Sequence, residues 1–314
     1  MIIYRKTLRN IALSISFLIF CSGFLMAEEQ YQPISPLVST EWLSAHLSDT
    51  DLVLLHIGKK DDYDKGHIPG ARPFSLRGII LNQDSQGILH EFPEIDSLEA
   101  VFQAVGLNDN SEVIICYDNE MLVPLATRLY VTLDYIGLGD RIAILDGGLP
   151  LWREENRPIS TDSPNIEPGN LTVRLNEKLL VDVTWVQKNL DNSGVVLIDC
   201  RPEEQYTGRE EDGHAARQGH IAGAINIPFF EIMRDDPAYR FKSIEELEKM
   251  FLDGGVKTGQ IVVPYCGTGI WSCPVYFVAK YLGYDVRFFD ASFQAWSADE
   301  NLTVIEPVKL HQVK

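Results

Sequence analysis

The sequence predicts an α/β fold in which a mostly parallel sheet, flanked by helices on both faces, is built twice along the chain. A motif at residues 66–71, Gly-His-Ile-Pro-Gly-Ala, recurs at 219–224 as Gly-His-Ile-Ala-Gly-Ala. Short apolar runs, rich in β-branched residues and too short for helices, accompany each copy. Helical segments alternate with these runs, an order typical of parallel sheets that are buried on both sides.

The predicted elements follow the same order in both copies. In the first copy, strands are predicted at 52–55, 113–118 and 142–145, with a helix at 124–135. In the second copy, strands are predicted at 195–198, 261–266 and 286–289, with a helix at 274–282, and a short strand and a helix at 178–189 open the copy. After the last strand, Asp-Gly-Gly at 146–148 parallels Asp-Ala-Ser at 290–292, and a tryptophan follows each.

The length of 314 residues is enough for two domains, each with its own core. We expect the first domain at 38–160 and the second at 178–306. Residues 161–177, which are rich in Pro, Asn and Ser, are predicted to link them.

The N-terminus has the pattern of a secretory signal peptide over residues 1–27. Three basic residues precede an apolar run at 11–20, and small residues up to Ala27 precede a polar stretch. We expect cleavage after Ala27 and export, with the periplasm as the natural destination and no stable membrane insertion afterwards. An uncleaved anchor and a lipid attachment at Cys21 are the alternatives, and both also predict export.

The composition argues against several partners. The formal net charge of −18 becomes −21 when residues 1–27 and their three basic side chains are removed. So acidic a surface repels phosphate backbones and anionic lipids, and we expect no nucleic acid as a partner. The histidines and cysteines lack metal-ligand spacings, so no metal and no cofactor are expected. Disulfides among Cys116, Cys200 and Cys273 stay open.

The residues that indicate chemistry lie at 266–271, Cys-Gly-Thr-Gly-Ile-Trp, between a predicted strand and a helix for which Ser272 is the predicted N-cap. Free amides at a helix start favour an anion, and here they favour the thiolate of Cys266, the nucleophilic form. Gly267 and Gly269 are predicted to take left-handed conformations that turn amides inward. A glycine-rich turn with a purely structural cysteine is the alternative.

With these motifs the sequence resembles the rhodanese family of sulfurtransferases, in its tandem two-domain form, over nearly all of residues 38–306. The resemblance implies that Cys266 is the active cysteine and that the first domain is silent, because Asp118 stands at the matching position. It implies a persulfide on Cys266, formed from thiosulfate, mercaptopyruvate or polysulfide and passed to a thiol, to cyanide or to a protein acceptor. The predicted cradle of the persulfide consists of Gly267, Thr268, Gly269, Ile270 and Trp271.

The sequence departs from the family where the donor is held. Gln205 replaces an arginine that grips the donor's anionic group, which leaves Arg201 and Arg209 as candidate substrate contacts. Asp199 is predicted to orient the site, and Trp271 stands where the family has a small residue. We therefore expect low activity with thiosulfate, or a different donor such as a polysulfide or a protein persulfide.

The sequence also bears on three other functions and on the two histidines of the repeated motif. Ser272 occupies the position of the arginine that clamps phosphate in related phosphatases, so phosphatase activity is not expected. A non-catalytic sulfur carrier or binding module is the main alternative, and an acidic or blocked mouth would favour it. A thiol redox protein is disfavoured because no Cys-x-x-Cys is present. His67 and His220 are expected to bind backbone, although a catalytic role for His67 stays open.

Overall fold

The computed structural model describes residues 31–80 and 83–306. The predicted signal peptide lies outside the described residues, so its cleavage stays a prediction. The domain boundaries also stay predictions, and residues 161–177 contain no helix or strand. Within the described ranges, none of the helices is both long and apolar enough to cross a membrane.

The first half of the chain forms one parallel sheet. Its elements are, in chain order, β1 (Leu37–Val38), α1 (Thr40–His46), β2 (Leu52–Ile57), α2 (Lys60–Lys65), β3 (Arg72–Phe74), α3 (Ile95–Ala104), β4 (Glu112–Tyr117), α4 (Val123–Tyr135), β5 (Ile142–Leu145) and α5 (Gly148–Glu154). The strand order is β1-β5-β4-β2-β3, with parallel pairing throughout. The central strands are buried on both faces, which is why they read as continuous apolar runs.

The second half repeats this arrangement with shorter strands. Its elements are β6 (Leu180–Val181), α6 (Val183–Asn189), β7 (Val195–Asp199), α7 (Glu203–Tyr206), β8 (His220–Ile221), β9 (Ile225–Asn226), α8 (Ile244–Asp253), β10 (Ile261–Tyr265), α9 (Cys273–Tyr281), β11 (Asp285–Val286), β12 (Phe288–Phe289), α10 (Ser292–Ala298) and β13 (Val304–Ile305). A parallel sheet has the order β11-β10-β7-β9, β12 pairs in parallel with β6, and β13 pairs antiparallel with β8.

The strand predicted at 286–289 is divided in the structure, which corrects the prediction. The backbone N–H of Arg287 donates to the carbonyl of Val262 at 2.9 Å, whereas that of Phe288 donates to the carbonyl of Leu179 at 2.7 Å. Because consecutive amides bind different neighbours, the chain leaves β10 and joins β6 within this run. An apolar run shows that a strand is buried and does not show which strand it pairs with.

Apolar side chains cover both faces of each sheet, which confirms the predicted fold class. On one face, a single core cluster includes residues of both halves, and Tyr130 of α4 meets Phe277 of α9 edge to face at 5.1 Å. On the opposite faces, one cluster contains Trp152 of α5 and another contains Trp296 of α10. The shared core holds the first half against the loop that follows β10.

Candidate active site

Cys266 directly follows β10, at the carboxyl end of a central parallel strand, where α/β sheets usually bind ligands. Its side chain is 2% exposed, and Sγ accepts a hydrogen bond from the backbone N–H of Gly269 at 3.1 Å. A donor aimed at Sγ stabilises negative charge on that atom and so favours the thiolate of Cys266. The geometry therefore supports Cys266 as a nucleophile.

Gly269 is the point at which the loop turns. Its φ is +84°, and an added Cβ would lie 2.6 Å from the backbone oxygen of Asp290. The left-handed conformation predicted for Gly267 is wrong, because its φ lies outside the left-handed range. The carbonyl of Gly267 accepts the N–H of Gln294 at 3.0 Å.

Ser272 lies at the N-cap position of α9 but does not cap it with its side chain, so that prediction is wrong. Its backbone is helical, with φ −81° and ψ −19°, whereas capping serines have extended backbone that turns the hydroxyl toward the first amides. The hydroxyl is buried and has no hydrogen-bond partner among the described residues.

The start of α10 fixes the backbone on the other side of Cys266. The hydroxyl of Ser292 accepts the N–H of Cys266 at 3.3 Å and donates to the carbonyl of Phe289 at 3.0 Å. Ser292 has a φ of +52°, a conformation that costs a non-glycine residue roughly 1–3 kcal/mol. Gly148, at the matching position of the first half, has the same backbone conformation, with a φ of +50°. The strained serine thus contributes hydrogen bonds that a glycine lacks.

A cavity of about 420 Å³ opens at Cys266. Besides residues of the 266–271 loop, its wall includes Gln205, Asp212 and His214 from the second half. The first half contributes Ile80, His90 and Leu125. The site is therefore built from both halves of the chain.

His90 contacts the active loop directly. Its Nδ1 lies 3.0 Å from the hydroxyl oxygen of Thr268, and its own φ is +63°. Burial, together with the nearby Arg128 and His214, lowers the pKa of His90 below its ordinary value. The imidazole is therefore neutral at neutral pH, with one nitrogen as donor and the other as acceptor.

No motif in the sequence marks His90, Asp212 or His214, and none of them was predicted as a site residue. They lie in two irregular segments, 83–94 and 207–219, that only the packing of the two halves brings together. The length of the segments between predicted elements could have pointed to these residues, because loops longer than about 12 residues without regular structure are uncommon and often functional.

Of the predicted donor contacts, Gln205 lines the cavity and Arg201 does not. The Arg201 guanidinium is buried and donates to both carboxylate oxygens of Asp199, at 3.0 and 2.6 Å. It also donates to one carboxylate oxygen of Asp212, at 3.1 Å. Burial alone would lower the pKa of Arg201, but Asp199 raises it overall, so the charge is permanent. Arg201 therefore holds Asp212 in the wall, and Asp199 orients Arg201.

Arg209 also lies outside the cavity wall. Its side chain is exposed and bound to Glu203 at 2.8 Å and to the hydroxyl of Thr207 at 3.0 Å. The wall consequently has no arginine or lysine among the described residues, and it carries the carboxylate of Asp212.

A buried arginine from the first half supports the active loop. Arg128 of α4 donates to the carboxylate of Asp290 at 2.6 Å, to the carbonyl of His90 at 2.7 Å and to the carbonyl of Gly269 at 3.4 Å. Its guanidinium also lies 4.0 Å from the ring centre of Phe92. One side chain thus links α4, the His90 segment and the Cys266 loop.

The cysteines of the described residues are free thiols, so the disulfides left open above are not formed. Cys273 donates to the carbonyl of Gly269 at 3.2 Å. Burial raises the pKa of Cys116, of Cys200 and of Cys273. These thiols stay protonated and do not compete with Cys266 as nucleophiles.

His67 binds backbone carbonyls, and the position in the first half that matches Cys266 holds a carboxylate. The ring nitrogens of His67 lie 2.8 and 3.1 Å from the carbonyls of Tyr63 and Asp162, outside the Cys266 cavity. Asp118, which stands where the second half has Cys266, lies 3.0 Å from Nε2 of the buried His56.

Across residues 31–80 and 83–306, no three His, Cys, Asp or Glu side chains form a group that could hold a metal ion.

Comparisons with known proteins agree with this architecture. The sequence profile of the rhodanese-like domain matches the chain twice, at residues 39–155 and 182–299. An Escherichia coli (strain K12) protein named 3-mercaptopyruvate sulfurtransferase is 27% identical over 284 residues, covering 87% of this chain and 98% of that protein. A Thermus thermophilus protein named sulfur carrier protein TtuD is 28% identical over 274 residues, covering 83% and 93%.

A solved structure shows the same fold. The Escherichia coli protein SseA, described as a 3-mercaptopyruvate sulfotransferase with the rhodanese fold, matches with a TM-score of 0.69. The match covers 82% of this chain and 98% of that chain at 24% identity.

Proposed function

The chain belongs to the rhodanese-like domain family, and from this premise we propose that it is a sulfurtransferase that carries sulfane sulfur as a persulfide on Cys266. The observation that carries the proposal is the hydrogen bond from the Gly269 N–H to Cys266 Sγ, in a cavity open to a small ligand. The two relatives described above are named a sulfurtransferase and a sulfur carrier, which supports the same chemistry.

The reaction has two steps. The Cys266 thiolate forms a bond to the donor's sulfane sulfur, the bond between that sulfur and the rest of the donor breaks, and the donor fragment leaves with the electron pair. In the second step an acceptor nucleophile bonds to the outer sulfur, and Cys266 leaves as the thiolate. The Gly269 amide favours the anionic sulfur at the start and end of the cycle.

The charges in the wall of the cavity support an inference about the donor. Thiosulfate carries two negative charges, and the wall offers Asp212, two histidines and Gln205 rather than an arginine. Thr268 and the neutral His90 suit a donor with less negative charge, such as mercaptopyruvate with its single carboxylate, or an uncharged organic polysulfide. We infer that thiosulfate is the poorest of these donors.

A donor series tests this proposal. Single-turnover formation of the Cys266 persulfide is measured with thiosulfate, mercaptopyruvate and an uncharged organic polysulfide, and cyanide then releases the sulfur as thiocyanate. We expect the rate per donor concentration to be lowest with thiosulfate. Faster loading by thiosulfate than by the other two would contradict the inference about donors.

A sulfur carrier that depends on a partner protein is the second candidate. It is favoured by the acidic Asp212 in the wall and by the similarity to the protein named a sulfur carrier. For a carrier that depends on a partner protein, we expect loading from a protein persulfide and not from small donors, so loading by small donors separates the two functions.

We also propose that the protein is exported, most simply to a periplasm. The support is the signal-like pattern of residues 1–27, which lies outside the described residues. A mature chain that starts at Glu28 and is found in the periplasmic fraction is the expected result. A full-length chain in the cytoplasmic fraction would contradict it.

A further inference from the structure

We propose that the acceptor is an organic thiol with an apolar body, held in a second cavity beside Trp271. The inference rests on the proposed function, since it names the molecule that discharges the Cys266 persulfide. It goes further by assigning a separate binding site to the part of the acceptor that does not react.

The second cavity adjoins the first. Its volume is about 510 Å³, and it shares Leu125, Ile270 and Trp271 with the cavity at Cys266. Small-molecule sites typically measure roughly 300–1,000 Å³ and are mainly apolar. Two of the shared residues belong to the active loop itself, so a ligand in the second cavity lies against the loop that holds the reacting sulfur.

The walls of this cavity are mainly apolar, and several of their apolar side chains are exposed. Phe229, Phe230 and Met233 line it, and Phe229 stacks on Trp271 at 5.2 Å. Met121, Phe230 and Trp271 are 76%, 50% and 42% exposed, and they are three of the eight exposed large apolar side chains among the described residues. Their concentration at one cavity indicates a binding surface rather than scattered surface residues.

The polar groups at this cavity select against anions. Glu120, Asp235 and Asp236 contribute carboxylates, and Arg234 contributes a guanidinium. Asp236 is engaged by Arg240 at 2.9 Å. A carboxylate on the acceptor would face more negative than positive charge, so a neutral or cationic body fits best.

The second cavity suits the acceptor rather than the donor. Once the first step is complete, the outer sulfur of the persulfide lies in the cavity at Cys266, and the adjoining second cavity has room for the bulk of an acceptor. An acceptor whose body packs on Phe230 and Met121 extends its thiolate past Trp271 to that sulfur. The thiolate bonds to the outer sulfur, the Cys266–sulfur bond breaks, and the acceptor leaves as a persulfide while Cys266 regains its thiolate. The acceptor's thiol proton passes to solvent, and no oxidant or reductant is consumed.

The experiment measures discharge of the preloaded protein by three thiols. Benzyl mercaptan is apolar, 2-mercaptoethanol is small and of similar acidity, and 4-(mercaptomethyl)benzoate adds a carboxylate to the benzyl ring. We expect benzyl mercaptan to discharge the persulfide about tenfold faster per concentration than 2-mercaptoethanol, as is usual for an added apolar group in a matching pocket. The carboxylate should remove most of this advantage.

Two variants and a matched control locate the effect. Phe230→Ala and Met121→Ala should each reduce the preference for benzyl mercaptan several-fold, because both remove apolar contact area. Leu252→Ala, an exposed apolar residue at a different cavity, should leave the preference unchanged. Persulfide loading, read as one added sulfur by mass, should equal wild type in all three and so reports folding as well.

The outcomes separate the two proposals. Absence of a persulfide with every small donor would contradict the proposed function itself. Normal loading with equal discharge by all three thiols, or a preference that survives both variants at the second cavity, would overturn the acceptor site alone.

Discussion

Gly269 illustrates how one residue shapes the reactive centre. Its N–H binds Cys266 Sγ, its carbonyl accepts from Cys273 and from Arg128, and its φ of +84° belongs to glycine. The sequence predicted its conformation because glycine favours positive φ. The close approach of the Asp290 backbone was not predictable, since it depends on how the loop packs against the segment before α10.

Gly269→Ala should therefore impair both stability and chemistry. A left-handed alanine costs roughly 1–3 kcal/mol, and here its Cβ would also meet the Asp290 oxygen at 2.6 Å. We expect a lower free energy of unfolding and persulfide formation slowed by at least about tenfold. Denaturant unfolding and single-turnover loading measure the two effects.

Gly223→Ala is the matched control for this change. Gly223 also has a positive φ, of +81°, but a Cβ there would have no neighbour within 4 Å. It should lose stability without slowing the loading step. Equal slowing in both variants would mean that the Gly269 contact with sulfur is unimportant.

Gln205→Arg should restore an anion contact to the Cys266 cavity. Gln205 lines the cavity, whereas Arg201 and Arg209 are bound to carboxylates elsewhere. An arginine at 205 would hold the sulfonate end of thiosulfate through charged hydrogen bonds. We expect the rate of loading from thiosulfate to rise about tenfold or more, while loading from an uncharged sulfur chain stays constant. An unchanged thiosulfate rate would contradict the account of donor choice.

At the scale of elements, the buried strands could be predicted and their partners could not. β2, β4, β7 and β10 appear where continuous apolar runs were found, because burial on both faces leaves a strong signal. The run at 286–289 gave the same signal and yet divides between two sheets. Pairing is decided by tertiary contacts, which the local sequence does not contain.

The segment that carries His90 should respond to pH. Burial lowers the pKa of His90, so the unfolded chain, with a pKa near 6.5, takes up a proton before the folded protein does. The stability that this neutral imidazole contributes is complete above pH 6.5 and is lost as pH falls through the lower folded value. We expect wild type to lose more unfolding free energy between pH 6.5 and pH 5 than His90→Gln does. Parallel losses, measured by denaturant unfolding at each pH, would contradict this.

Helix α4 should couple the stability of the two halves through Arg128. Arg128→Met leaves the buried carboxylate of Asp290 without its partner, and breaking a buried ion pair in this way costs about 3–5 kcal/mol. The rate of persulfide loading should fall as well, because Arg128 also binds the carbonyls of Gly269 and His90.

The double variant Arg128→Met/Asp290→Asn supplies the control. It removes the uncompensated charge, so it should recover part of the lost stability while loading remains slow. Full recovery of the loading rate in the double variant would show that Arg128 does not position the loop.

At the scale of the whole molecule, the two copies of the duplicated unit have different roles. The first half has Asp118 paired with His56 in place of a thiol, and it contributes Ile80, His90 and Leu125 to the cavity at Cys266. The repeat in the sequence revealed the duplication and the loss of the first cysteine. It could not reveal that the first half completes the second half's site, because those contacts join residues more than 100 positions apart.

The central claim is that sulfane sulfur resides on Cys266, and intact mass with peptide fragmentation tests it most directly. After incubation with polysulfide or mercaptopyruvate, the wild-type protein should gain one sulfur, located on Cys266 and released by cyanide as thiocyanate. Cys273→Ser should gain the same sulfur, and Cys266→Ser should gain none. A cyanide-labile sulfur that persists in Cys266→Ser, or is located on Cys273 in the wild type, would contradict the account.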